Sequence, residues 1–249
     1  MSVLVVIPAR YGSTRLPGKP LASLGGKPMI QHVYERAAKA KGVREVVVAT
    51  DDARIVEAVK GFKGVAAMTS PTARSGTERA AEVARGRRDQ VIINVQGDEP
   101  LIEPDMIEQL ADYLSRHGAI PMASLMKALD SDAEGNNPNV VKAVVDHDGF
   151  ALYFSRAPIP FVRQAERKPL PRFYKHLGIY GYQRHFLLQF PSLEPTRLEE
   201  LEQLEQLRVL EHGHRIKLLE TLHDTIGVDT PEDLRKAEER LLAGTAGRR

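Results

Sequence analysis

Arg10, Arg15 and Lys19 fall within ten positions of one another in the stretch IPARYGSTRLPGKP, interleaved with Gly12, Gly18 and three prolines. A plain connector needs turn residues but has no need of three cations. Glycines let backbone N–H groups approach a ligand closely, and Arg and Lys supply compensating charge, so this mixture suits the oxygens of a polyphosphate. The Walker A spacing is not met: five residues separate Gly12 from Gly18, and Pro20 follows Lys19 where a metal-binding hydroxyl would stand. The dinucleotide pattern G-x-G-x-x-G fails as well, because Arg10 occupies the place of its first glycine.

Carboxylates and hydroxyls with possible chemistry recur later. In VIINVQGDEP, Asp98 and Glu99 follow an apolar run. A carboxylate there can hold Mg²⁺ against phosphate oxygens, and the competing reading is a turn aspartate. SPTARSGTER offers Ser75, Thr77 and Arg79. Its competing reading is a helix N-terminus, with Thr77 as the favoured cap. In GVDTPEDL, Thr230 as cap and Pro231 in the first turn explain a helix start, which leaves Asp229 unexplained.

The elements that must position these residues follow from periodicity. SVLVVI, EVVVATDD, GVAAMT and QVIINVQGDEP read as strands buried on both faces. PMIQHVYERAAKA, ARIVEAVKG, TERAAEVARGRR and PDMIEQLADYLSRHG read as helices between and after them. This alternation predicts an α/β fold with a doubly wound, mainly parallel sheet, whose ligands sit beyond the C-terminal ends of the strands. The cationic loop and the Asp98 loop both lie there.

From about residue 120 the pattern changes. AVVDHDGFALYFSR predicts a hairpin turning at Asp148-Gly149, and residues 157–175 a long loop. HLGIYGYQRHFLLQF reads as a strand entering a helix. EPTRLEELEQLEQLRVLEHG reads as one helix opened by a Thr196/Glu199 capping box. Leucines at 198, 201, 204, 207 and 210 wrap most of that helix. The remaining sector holds Glu199, Glu202 and Gln206 and is either solvated or faces a ligand. The tail from 243 to 249 is expected to fray, and the histidines outside HLGIYGY to lie on the surface.

Bulk properties narrow the function classes. The chain has 249 residues, 42 % hydrophobic and 27 % charged, with 35 basic and 33 acidic side chains for a net charge of +2. That balance, with no Trp, argues against a nucleic-acid scaffold. The absence of Cys excludes disulfides and thiolate chemistry and suits a reducing compartment. The N-terminal apolar run VLVVI is too short for a signal peptide or a span, so a cytoplasmic protein with no membrane partner is expected.

IPARYGSTRLPGKPL, SGTER, NVQGDEP, YFSRAPIP, HLGIYGY, LEQLRVL and GVDTPEDL stand in this order between about residue 3 and residue 238. Together they resemble the CMP-sugar synthetases, and specifically the 3-deoxy-manno-octulosonate (Kdo) cytidylyltransferases. The resemblance implies a nucleotide-diphospho-sugar transferase-like fold in one domain over 1–249, with a smaller sugar-binding and dimerisation subdomain at about 120–195 and a homodimer. It implies CTP and Kdo as substrates, Mg²⁺ as cofactor, and CMP-Kdo for lipopolysaccharide synthesis as product. Related acidic sugars, N-acylneuraminate or an amino-Kdo, remain open, as does a nucleotide-binding regulator without catalysis.

On this resemblance Arg10, Ser13, Arg15 and Lys19 bind the triphosphate, with Lys19, Arg10 and Arg15 stabilising developing charge. Ser75 and Gln96 meet the nucleotide, and Asp98 and Asp229 are the metal carboxylates. Arg79 and Arg156 are candidates for the sugar carboxylate, because guanidinium pairs with it at two points. Gln96, His176, Tyr182, Glu202 and Gln206 are candidates for the sugar hydroxyls.

Overall fold

The structure is a computed structural model, and it describes residues 2–12, 16–163 and 172–246. In chain order the first half runs β1 (Val3–Pro8), a small hairpin of β2 (Ser23–Leu24) and β3 (Lys27–Pro28), α1 (Met29–Ala37), β4 (Val43–Thr50), α2 (Ala53–Gly61), β5 (Ala66–Met68), α3 (Gly76–Arg85), β6 (Val91–Asn94) and α4 (Pro104–Arg116). The second half adds β7 (Met122–Ala128), α5 (Asp132–Asn136), β8 (Lys142–Val145), β9 (Ala151–Ser155), β10 (Tyr174–Gln183), α6 (Arg184–Gln189), α7 (Arg197–Glu202), α8 (Gln206–Glu211), β11 (Ile216–Glu220) and α9 (Pro231–Ala246).

The main path of the sheet is β11-β7-β10-β6-β1-β4-β5. β1 pairs in parallel with β4 and β6, β4 with β5, and β11 with β7. β10 is antiparallel to both β6 and β7. The continuous apolar character of β1 has a direct cause. Val3, Val5 and Ile7 enter the core on one face, against Ile30, Val33 and Ile107, while Leu4 and Val6 enter the other, among Ala80, Phe186 and Leu207. Each such side chain, fully buried, contributes on the order of 1.5–3 kcal/mol, so no position of β1 is left for a polar residue. A third cluster of Leu24, Met29, Leu101, Val228 and Ala237 ties α9 and the loop before it to the first half.

Several expectations are corrected. The stretch read as one long helix is two short ones, because Gln203 turns left-handed at φ 53° and ends α7. β7 and β11, which the sequence reading did not identify, complete one side of the sheet. Within residues 120–195, β7 and β10 lie in the main sheet and the β8–β9 hairpin branches from it. His32 is not a surface histidine: it is buried, with a ring nitrogen 2.7 Å from the Leu24 carbonyl. α9 runs to Ala246, further than the frayed tail allowed.

Candidate active site

A cleft of about 750 Å³ opens beyond the C-terminal ends of β1 and β6. Two glycines shape the end that holds Lys19. Gly18, at φ 66°, donates its N–H to the Tyr11 carbonyl at 3.2 Å and starts the single 3-10 turn that carries Lys19. A side chain there would meet both the left-handed backbone and the Tyr11 ring. Gly97 crosses the end of β1 so closely that a Cβ would stand 2.7 Å from the Pro8 carbonyl oxygen. That approach brings Asp98 beside Lys19.

Lys19 Nζ lies 2.6 Å from Asp98 Oδ2 and 3.0 Å from Asp229 Oδ1. Burial works against its charge, but Asp98 and then Asp229 outweigh burial and hold its pKa above the ordinary lysine value. The loop bearing Asp229 is pinned twice. Val228 N–H donates to the Asp98 carbonyl at 2.9 Å, and Asp233 accepts from the Asp229 and Thr230 N–H groups at 3.2 and 3.0 Å. Carboxylates 131 positions apart thus converge on one cation. Next to them, burial and then the neighbouring Asp98 push the Glu99 carboxyl up to about 8.

The other end of the cleft is lined by Tyr180, Glu205 and Gln206. Tyr180 Oη donates to Gln206 Oε1 at 3.3 Å, and Gln206 Nε2 approaches His176 Nδ1 at 3.5 Å. His176 Nε2 lies 2.8 Å from Ser124 Oγ, which itself donates to the Ile179 carbonyl at 2.7 Å. That pattern makes Nε2 the protonated nitrogen. Desolvation against Phe154 and Tyr180 pushes the His176 imidazole down to about 3, so it stays neutral. Burial raises the Glu205 carboxyl as well, and Thr77 Oγ1 donates to it.

Arg10, Lys19, Ser75, Arg79, Gln96, Asp98, Gln206 and Asp229 therefore line one cleft. Ser13 and Arg15 lie outside the described residues. Four candidates stand elsewhere. The Arg156 guanidinium donates to the carbonyls of Glu202, Pro138 and Gln203, and the Glu202 carboxylate accepts from Ser155 Oγ and Arg156 N–H. Both are spent bracing the turn at Gln203. Tyr182 is buried in the core against Phe186, and His176 backs Gln206 without lining the cleft.

Ser75, and not Thr77, caps α3, accepting from Glu78 N–H at 3.2 Å. Arg79 lines the cleft but is engaged beneath it by Asp51 at 2.8 Å, Thr69 at 2.7 Å and the Ser70 carbonyl. Among the described residues, Arg10 is the cleft cation left without a carboxylate partner. The sequence reading missed Glu205 and Tyr180. Tyr180 shared a signal with His176, since both lie on one face of a period-two strand.

The Arg79–Asp51 pair gives a direct test. Asp51→Asn leaves a nearly buried guanidinium without its counter-charge and is expected to cost about 2–3 kcal/mol in urea unfolding. An unchanged midpoint would mean that Arg79 is free to turn toward a ligand.

A family model described as "Cytidylyltransferase" matches residues 4–216. An 8-amino-3,8-dideoxy-manno-octulosonate cytidylyltransferase from Shewanella sp. (strain ANA-3) is 54 % identical over 245 residues, covering 97 % of this chain and 99 % of that protein. A 3-deoxy-manno-octulosonate cytidylyltransferase from Geobacter sulfurreducens is 51 % identical over 249 residues, covering 97 % and 100 %. A solved CMP:2-keto-3-deoxy-manno-octonic acid synthetase complexed with CTP superposes with a TM-score of 0.93 at 46 % identity, covering 98 % of this chain and 100 % of that one. A Bacillus anthracis protein described as a putative glucose-1-phosphate thymidylyltransferase, at 14 % identity and a TM-score of 0.68, shares the fold. A lysine of a glycine-bearing loop held between two carboxylates at one end of a cleft, and relatives matched over nearly their whole length, lead to one conclusion: the chain belongs to the cytidylyltransferase family and is a nucleotidyltransferase.

Proposed function

We propose that the chain activates an eight-carbon 3-deoxy-octulosonate, Kdo, with CTP, giving CMP-Kdo and pyrophosphate. The observation that carries this reading is the convergence of Lys19, Asp98 and Asp229 at one end of a cleft whose other end presents Tyr180, Glu205 and Gln206. The anomeric oxygen of the sugar bonds to the α-phosphorus, the bond from that phosphorus to the bridging oxygen breaks, and pyrophosphate leaves with the electron pair. The hydroxyl proton is lost to water.

The chain contributes position and charge. Arg10 and Lys19 face the phosphate oxygens, and the Gln206 amide, held by His176 and Tyr180, orients the sugar. Asp98 and Asp229 fit a divalent cation, since their oxygens already share one positively charged atom at 2.6 and 3.0 Å. Mg²⁺ held there would supply charge compensation for the phosphates. At the sugar end Glu205 is raised in pKa and accepts from Thr77, which suits a neutral hydroxyl better than an ammonium.

The test is pyrophosphate release from CTP with Kdo, its 8-amino-8-deoxy analogue and N-acetylneuraminate. Kdo is expected to give the highest kcat/KM, at least tenfold above N-acetylneuraminate, or about 1.4 kcal/mol of transition-state discrimination. A tenfold preference for the amino sugar would move the assignment to the activity named for the Shewanella relative. A preference for N-acetylneuraminate would overturn the octulosonate reading.

A further inference from the structure

The cation that the paired carboxylates hold in this structure belongs to the chain itself. The Lys19 side chain is largely enclosed at 15 % exposure, whereas those of Asp98 and Asp229 stand open at 31 and 44 %. A divalent ion bridging the same two oxygens would stand within a few ångströms of the ammonium, where like charges repel strongly even at a half-solvated dielectric. Lysine and metal therefore compete for one place.

The backbone decides which partner gives way. Asp98 and Asp229 cannot withdraw, because the Val228–Asp98 bond and the Asp233 contacts fix both loops. Lys19 is anchored at its backbone by the turn after Gly18, and its longer side chain, which lines the cleft, has four torsions through which the ammonium can move against two in each aspartate.

We propose that Lys19 is a built-in counter-ion of the Asp98–Asp229 pair, which keeps a divalent cation out of the nucleotide-free protein and releases the pair only when phosphate oxygens give the ammonium another partner. The proposal rests on the reading of these two aspartates as metal carboxylates. Its consequence is coupled entry: by linkage, the metal and the polyphosphate each tighten the other's binding. One lysine then neutralises the empty site and afterwards faces the substrate.

The experiment uses Mn²⁺ as the probe and the full chain without nucleotide or sugar, with bound ion read by electron paramagnetic resonance. Lys19→Met is expected to bind Mn²⁺ at least tenfold more tightly than wild type, equivalent to about 1.4 kcal/mol. Lys19→Arg, which keeps the positive charge, should stay within about threefold of wild type. Adding Asp229→Asn to Lys19→Met should abolish the gain. Lys19→Gln provides the same readout if methionine is not tolerated at this site. Equal affinity in wild type and the neutral variants, or a gain that survives Asp229→Asn, overturns the proposal. Because no sugar or CTP is present, failure of the Kdo assignment leaves this result untouched, and the sugar panel is likewise blind to it.

Discussion

Lys19→Met lowers kcat/KM for pyrophosphate release by on the order of 10² or more, the loss expected when one strong donor to the developing phosphate charge is removed. The ammonium is placed by backbone geometry. Gly18 supplies the left-handed residue, the Tyr11 carbonyl closes the loop, and the single 3-10 turn aims the side chain into the cleft. Methionine keeps the length and the packing, so the loss reports charge. Lys27→Met is the control, because Lys27 pairs with Glu35 on an exposed surface and should change the rate less than about threefold. Equal losses in both variants would make the loop a diffuse positive surface.

Asp98→Asn and Asp229→Asn are each expected to lower activity by on the order of 10², and the double variant should be little worse than the poorer single one. Groups that act as one unit are not additive, and these two carboxylates share a partner across 2.6 and 3.0 Å. Asp112→Asn serves as the control, from an exposed helical ion pair with Arg116. Asp224 would be a poor one, since it lies 2.8 Å from the buried Lys175 ammonium. The measurement is Mg²⁺ titration of pyrophosphate release. An Asp229→Asn enzyme with unchanged rate and Mg²⁺ dependence would reduce Asp229 to the residue before a helix cap.

Much of this was legible because local pattern and tertiary role agreed. β1, residues 46–49 of β4 and residues 91–93 of β6 are apolar throughout since both their faces are covered, and the glycines and cations of the first loop pointed to the end of β1 where the cleft opens. Other features were hidden for physical reasons. Hydrophobic pattern reports burial but not direction, so nothing marked β10 as the reversed strand. The leucine steps continue through Gln203 although the backbone does not, and that break turns Glu202 to Arg156 and Glu205 to the cleft. Arg79 and Arg156 were the right residue types for a carboxylate. Their engagement by Asp51 and by the carbonyls around Gln203 depends on chain segments far away in sequence.

The reversed strand β10 has a consequence for how the molecule is made. Ile93 of β6 pairs with Gly181, and β10 stands between β6 and β7 in the sheet. On a chain emerging from the ribosome, β1, β4, β5 and β6 can associate early. The far edge of β6, with its three apolar residues Val91, Ile92 and Ile93, stays unpaired until residue 183 has been synthesised. An apolar strand edge left open is a template for pairing with another chain. The interval between those two events is when a nascent molecule, already carrying its cationic loop but lacking the Tyr180 wall, is most exposed to sticking to its neighbours.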